Sequence, residues 1–436
     1  MSEPSEKKGA NKSLLKASGT ALTGRASVAI FSLLFVAYLA RDLPPSTLGL
    51  IALHAIFVMS SKVLLELGLS FAVMREAGPL VKVGDVDGAV DQIIGVSTGI
   101  RMMATLLFAL AYGGAGLFFI DSLSESFPGV DLSLVVPFGA AHLFAKNAQF
   151  VLSPVLMVKD RFGSESALDS AAALLEKIGA VTCYWTLGID WFFAGMFFGQ
   201  VVTTGATALI VRDVIRRFRP RQLRASAIRG VVKRYWPLFL RTLFRQGMRQ
   251  ADRLLIAALV SAEALAVLHV ARQGSTYLRY VARAFVDPLN VRLAEATDRE
   301  TRLALVRTTQ RVLAVVPLIV MLFSPLIMRA IGGPQYADDW PLLALLCASY
   351  VFYGLSEVQL AIIAMLGHGK EPVRMDALAG VLGLVATGVC VTYLGDLGMA
   401  FGQLVSYLAL YLGGLALAKA VWSAAHSESA STSPSA

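Results

Sequence analysis

The residues in this sequence best placed to do chemistry are arginines set at helical spacing inside apolar stretches. Arg241, Arg245 and Arg249 follow one another at i, i+4 steps in YWPLFLRTLFRQGMRQADRLLIAALV, so one helix face stacks three guanidinium groups. Arg272, Arg279 and Arg283 are again spaced for one face in the stretch that follows, SAEALAVLHVARQGSTYLRYVARAFVDPL. A guanidinium is planar, permanently charged and matched to paired anionic oxygens. In a chain that reads as membrane-embedded, each such charge at mid-bilayer costs roughly 2.5–3.5 kcal/mol, so it must face protein or water rather than lipid. Spread over both stretches, the set predicts a polar cavity for an anionic substrate. For any single arginine the competing reading is an amphipathic surface helix or a side chain that snorkels to the headgroups. Four acids in apolar runs, Glu66, Glu176, Asp252 and Glu357, raise coupling to a proton or sodium gradient. Their competing reading is local ion pairing: Lys62 is i−4 to Glu66, Arg249 precedes Asp252 by three residues, and Lys177 adjoins Glu176. Glu357 has no near basic neighbour in sequence and is the better coupling candidate.

The elements that must carry these side chains follow from composition. The 436 residues are 56% hydrophobic and only 16% charged, against about 25% charged in soluble domains, with a mean hydropathy of +0.64. The apolar excess runs along almost the whole chain, which predicts an all-α polytopic membrane protein; the alternating segments of an outer-membrane barrel are absent. At about 20 residues per span plus turns there is room for about 12 transmembrane helices, read as two six-helix bundles around a central cavity. The net charge of +9 does not argue for nucleic acid, because most basic residues cluster in short loops where membrane orientation explains them. Cys183, Cys347 and Cys390 lie in apolar runs without metal-ligand spacing and read as packing residues.

In chain order, residues 1–16 form a basic N-terminal arm and 17–211 a first bundle. Its first span is too long for a secretory signal and holds Arg25; its third holds Arg101 and its fourth Lys146. Residues 212–234 carry nine Lys or Arg and one acid, and form a basic linker. Residues 235–420 form a second bundle, and 421–436 a polar disordered tail. The loops on one side hold the lysines and arginines. Those on the other hold Arg41 and then almost only acids, among them Asp121, Glu125, Asp131, Asp190, Glu263, Asp338, Asp339 and Asp396. That asymmetry holds along all twelve proposed spans, so an even count with both termini in the cytoplasm is expected. A turn at Ser261–Ala264 is required for it; one span over 254–271 would invert every later loop. The first hairpin of each half begins alike, TLGLIALHA at 47–55 and ALAVLHVAR at 264–272, a faint internal repeat of the kind that meets across a cavity.

Several stretches resemble one family. DRLLIAALVSAEALAVLHVAR (252–272) resembles the seventh-to-eighth span hairpin of polysaccharide and oligosaccharide flippases, in the multidrug/oligosaccharidyl-lipid/polysaccharide exporter superfamily. Residues 331–407 resemble the family's C-terminal pattern, with Gly333, Tyr336, Gly367, Leu394, Gly395, Gly398 and Ala400 at its marked positions. LARDLPPSTLGLIALHAIF (39–57) resembles the first hairpin, and Pro288 fits the end of span eight, while Ala266, Val267 and Leu268 stand where the family usually has Gly-x-Tyr. The resemblance implies a six-plus-six helix fold in the cell membrane. It implies a polyprenyl-diphosphate-linked sugar as cargo, moved from the cytoplasmic to the outer leaflet, with membrane lipids and other polysaccharide-assembly proteins as partners and no cofactor. Arg25, Arg101, Lys146, Arg241, Arg245, Arg249, Arg272 and Arg279 are then the cavity set that would shelter the diphosphate, with Arg283 nearer the cytoplasmic entrance.

Rival classes fare less well. A membrane enzyme of glycan assembly should show a large outside loop or a catalytic acid pair, and every outside loop here is short. No Walker A sequence occurs, which argues against direct ATP use. An exporter of cationic drugs on the same fold calls for an acidic cavity, whereas the charges in these spans are mainly basic; a peptidoglycan lipid-precursor flippase stays open.

Overall fold

The computed structural model describes residues 30–431 except 67, 160–161, 219–222, 244–247, 296–298 and 366–370. Among the described residues every regular element is helical. The long helices are α1 (30–42), α2 (Pro45–Glu66), α3 (Leu69–Lys82), α4 (Val86–Phe118, with a π turn at Val90–Ile94) and α5 (Leu132–Val158). Then come α6 (Phe162–Leu187), α7 (Phe192–Ile210), α8 (Ala225–Thr242), α9 (Met248–Leu259), α10 (Ala262–Glu295) and α11 (Arg299–Leu322). The chain ends with α12 (Ser324–Gly332), α13 (Trp340–Met365), α14 (Glu371–Leu394) and α15 (Asp396–Ser431). The helix from Asp396 thus runs through residues where composition predicts a tail, because Ala, Ser, Glu and His there oppose no helical turn.

Seven stretches among the described residues are long and apolar enough to cross a membrane, and the chain is a multi-pass membrane protein. Helices α5, α6 and α10 are as long but fall outside that set. They are the ones that carry His142 and Lys146, Glu176 and Lys177, and Arg272 and Arg279. Elsewhere the outward face is oily. On α14, Leu378, Val381, Leu382, Val385, Val389 and Tyr393 are exposed at helical spacing, a stripe fit to meet lipid.

Contacts between Cα atoms divide the chain into two units, Leu50–Leu254 and a second made of the residues up to Gly49 with Leu255 onward. In the first, α4 packs on α5, α5 on α7, and α6 along α7. The last pair is tight because glycines face one another. A Cβ on Gly195 would lie 2.1 Å from the Gly179 carbonyl oxygen, and one on Gly199 would lie 2.3 Å from that of Leu175. Glu176 follows Leu175 on α6 and is buried, its side chain turned to Lys146 of α5.

In the second unit, α13 packs against α10, α11 and α15, and α15 against α14. The segment 30–49 groups with this unit: Arg41 Nη2 donates to the Ala330 carbonyl at 2.5 Å, and Gln335 donates to the carbonyl of Ala40. The turn required by the orientation argument is present. Helix α9 stops at Leu259, Ser261 Oγ accepts from the Ala264 N–H at 3.3 Å, and α10 begins at Ala262. Family-like positions have local reasons. Gly333 and Gly395 hold φ of 77° and 55°, open chiefly to glycine.

Replacing Gly195 by Ala is expected to lower the stability of the N-terminal unit by about 1–3 kcal/mol, since backbones rather than flexible side chains must part. A thermal unfolding midpoint in detergent equal to wild type would show that the two helices are not held at this distance.

Candidate functional site

Two charged centres lie inside the Leu50–Leu254 unit. The first is built on α4. Arg101 is only 1% exposed, and its guanidinium is engaged through Nε and Nη2. Nε donates to the Leu65 carbonyl at 3.0 Å, Nη2 to the Phe150 carbonyl at 3.4 Å, and Nη2 also stands 3.5 Å from Glu66 Oε2. The plane of charge lies 5.0 Å from the Phe150 ring, which Lys62 also approaches, at 5.7 Å. Glu66 accepts a further bond from Ser70 Oγ at 2.8 Å. Leu65 and Glu66 end α2, so the arginine caps a carbonyl, that of Leu65, which the helix leaves without a partner.

The second centre lies between α5 and α6. Lys146 Nζ donates to Glu176 Oε1 at 2.5 Å, and His142 Nε2 faces the same oxygen at 3.6 Å. His142 Nδ1 is 2.8 Å from His54 Nε2, and His54 Nδ1 is 3.1 Å from the Tyr112 hydroxyl. His142 and Lys146 are one turn apart on α5, which is why both reach one carboxylate. One turn further, Gln149 accepts from Gln200 and, at 3.3 Å, from Thr203 of α7, while Asn147 donates to Ser61 Oγ of α2 at 2.8 Å. The fourth predicted span is therefore a polar spine to which its neighbours bond.

The structure brings together Arg101 with Glu66 and Lys146 with Glu176. For Glu66 it corrects the expected pairing with Lys62, since Arg101 and Ser70 take the carboxylate. Glu176 keeps the expected neighbour Lys177 and gains Lys146 across helices, and the Arg249–Asp252 pair lies outside the described side chains. A carboxylate pointing into a bundle is nearer to the facing helix than to a side chain one turn along its own. Arg272 and Arg279 sit two turns apart on α10, both half-buried, and Arg283 is exposed on the same helix. Thr276 Oγ1 donates to the Arg272 carbonyl at 2.6 Å. Glu357 is half-buried on α13. Arg25 and Arg245 lie outside the described residues, as do the side chains of Arg241, Arg249 and Asp252, so the i, i+4 stack is not among the described features. In the second unit a cavity of about 330 Å³ is lined by Val267, Leu342 and Leu394 with Asp338, Asp339 and Asp396, a lining that would repel an anion.

His54 and Tyr112 were not singled out by the sequence reading. A signal was there: the chain has five histidines, and His54 and His142 each interrupt a run otherwise fit for a span.

A family model described as polysaccharide biosynthesis protein matches residues 38–321. No curated protein matches the chain significantly. Among solved structures, an inward-facing multidrug resistance MATE family transporter of the MOP superfamily matches with a TM-score of 0.67 at 17% identity, covering 92% of this chain and 99% of that one. The lipid II flippase MurJ in an inward closed conformation matches with a TM-score of 0.70 at 12% identity, covering 92% and 87%. A MOP superfamily transporter from Pyrococcus furiosus, described as having a binding pocket of reversed polarity, matches with a TM-score of 0.58 at 16% identity, covering 94% and 96%. At these identities the likeness is one of fold.

Arg101→Leu is expected to cost about 3 kcal/mol, at the low end for a broken buried pair because Glu66 keeps 19% exposure. Glu66→Leu with Arg101→Leu should regain most of that. A double variant no more stable than Arg101→Leu alone, by unfolding in detergent, would mean that the carbonyl contacts and not the ion pair carry the effect.

Proposed function

The chain belongs to the polysaccharide biosynthesis protein family, and from that premise we propose that it is a membrane transporter that flips a polyprenyl-diphosphate-linked oligosaccharide from the cytoplasmic to the outer leaflet. The observation that carries the reading is α10. A 34-residue helix in a multi-pass protein bears two half-buried arginines at the same face, where lipid would exact a heavy cost. A diphosphate cannot cross hydrocarbon bare, and guanidinium groups match its oxygens while keeping their own charge. Arg241, Arg245 and Arg249 belong to the same proposed lining, whereas Arg101 and Lys146 are engaged by Glu66 and Glu176 and would have to exchange partners to reach cargo.

The fold likeness to a lipid II flippase supports a peptidoglycan lipid precursor as second cargo class, since it too carries a diphosphate. The fold likeness to multidrug transporters supports drug efflux less well, because the charges inside the spans are mainly basic. The protein on this reading is a carrier and not an enzyme. It sits in the cell membrane with both termini in the cytoplasm, an orientation supported by the basic loops.

Arg272→Ala is expected to slow flipping of a polyprenyl-diphosphate-linked sugar in proteoliposomes at least about tenfold, the loss of one charge-assisted contact. Insertion should be unchanged. Wild-type rates for Arg272→Ala and Arg279→Ala alike, at equal protein, would remove α10 from the substrate path.

A further inference from the structure

Tyr112, His54 and His142 are hydrogen-bonded in line from α4 through α2 to α5. His142 Nε2, buried without a hydrogen bond of its own, faces the Glu176 carboxylate of α6 at 3.6 Å, which Lys146 of α5 holds from the other side. A histidine kept only for packing needs one partner; here both nitrogens of each ring face a polar atom. A bond between two imidazole nitrogens demands that one ring donate and the other accept. The surroundings select the order for the neutral pair. His54 Nε2–H donates to His142 Nδ1, which leaves the His142 proton on Nε2, toward Glu176, and leaves His54 Nδ1 to accept from Tyr112. The reverse order would set a ring lone pair against a carboxylate.

We propose that the His54–His142 pair is a binding site for one exchangeable proton, with Glu176 as its fixed counter-charge, and that its occupancy couples transport to a proton gradient. The proton enters at His54 Nδ1, and the Tyr112 hydroxyl turns to accept from it. The hydrogen between the rings passes to His142 Nδ1, so His142 becomes an imidazolium beside Glu176. Release returns one proton from the same pair, and no redox partner is required. Lys146 holds Glu176 ionised at 2.5 Å, which directs the added proton to imidazole rather than to the carboxylate.

The other charged groups acting on the centre are Lys62 of α2 and Lys177 and Asp169 of α6. From α7 the pair meets the edge of the Phe193 ring, at 4.7 Å from His54, and no charge. A second proton would leave both rings as donors across the 2.8 Å contact between them, so the site takes one. Glu176 thus enters as counter-charge and not as the titrating group.

The coupling half of the proposal rests on the flippase reading, and the test separates them. Full-length protein carrying ¹⁵N-labelled histidine is placed in lipid nanodiscs and titrated from about pH 5 to pH 8. His54 and His142 ring signals should follow one shared titration that is lost in His142→Gln. In proteoliposomes containing a polyprenyl-diphosphate-linked disaccharide, one coupled proton should bias its distribution about tenfold per pH unit across the membrane. His54→Gln and His142→Gln should abolish that bias. Wild-type flipping indifferent to the gradient, or a bias retained in folded His142→Gln, overturns the coupling while leaving the flippase reading intact. Two rings that titrate independently, or not at all, overturn the shared site. A shared titration with no flipping of the disaccharide defeats the flippase reading and leaves the proton site standing. Should the variants fail to insert, the wild-type titration and gradient response decide.

Discussion

An ionised side chain removed from water must find its opposite within the protein, and the N-terminal unit is arranged around that demand. Arg101 and Glu66 answer it once, Lys146 and Glu176 a second time. Gly179, Gly195 and Gly199 let α6 and α7 touch backbone to backbone, while Glu176 of the same helix as Gly179 meets Lys146 of α5. The charge requirement sets which residues must meet, and the glycine contacts set how closely α6 and α7 approach.

The same demand divides the basic residues into two kinds. Arg101 spends its hydrogen bonds on carbonyls and a carboxylate of its own unit, and so braces the end of α2. Arg272 and Arg279 lie half-buried on α10, the helix on which the proposed cargo path rests. A residue's position in an apolar run thus marks it as costly without saying what offsets the cost. Only the neighbouring helix does that.

This limit explains what was legible in the sequence. The helical class and the turn at Ser261 follow from patterns that one strand of sequence contains: apolar length, loop charge and a capping residue. Gly333 and Gly395 are readable for the same reason, since a left-handed turn is a local event. Partners across helices are not local. Lys62 stands at the right spacing for Glu66, yet Arg101 from α4 supplies the pairing, because side chains directed into a bundle meet the facing helix first. His54 went unremarked because its meaning lies in His142, eighty-eight positions away.

The two proposed tasks call for different chemistry. A diphosphate stays charged throughout its passage, so what holds it should stay charged too, and arginine does. A proton site must instead change its charge near neutral pH, which arginine cannot do and imidazole can. Placing both tasks on one set of residues would make cargo and proton compete for the same side chains. Here the histidine pair belongs to α2 and α5, and the half-buried arginines to α10. Because Lys146 keeps Glu176 negative, adding a proton to the pair changes the net charge of the N-terminal centre by one unit while the Lys146–Glu176 pair stays in place. A charge change of that kind can bias a helix bundle between two arrangements, whereas a permanent ion pair such as Arg101–Glu66 can only hold one of them.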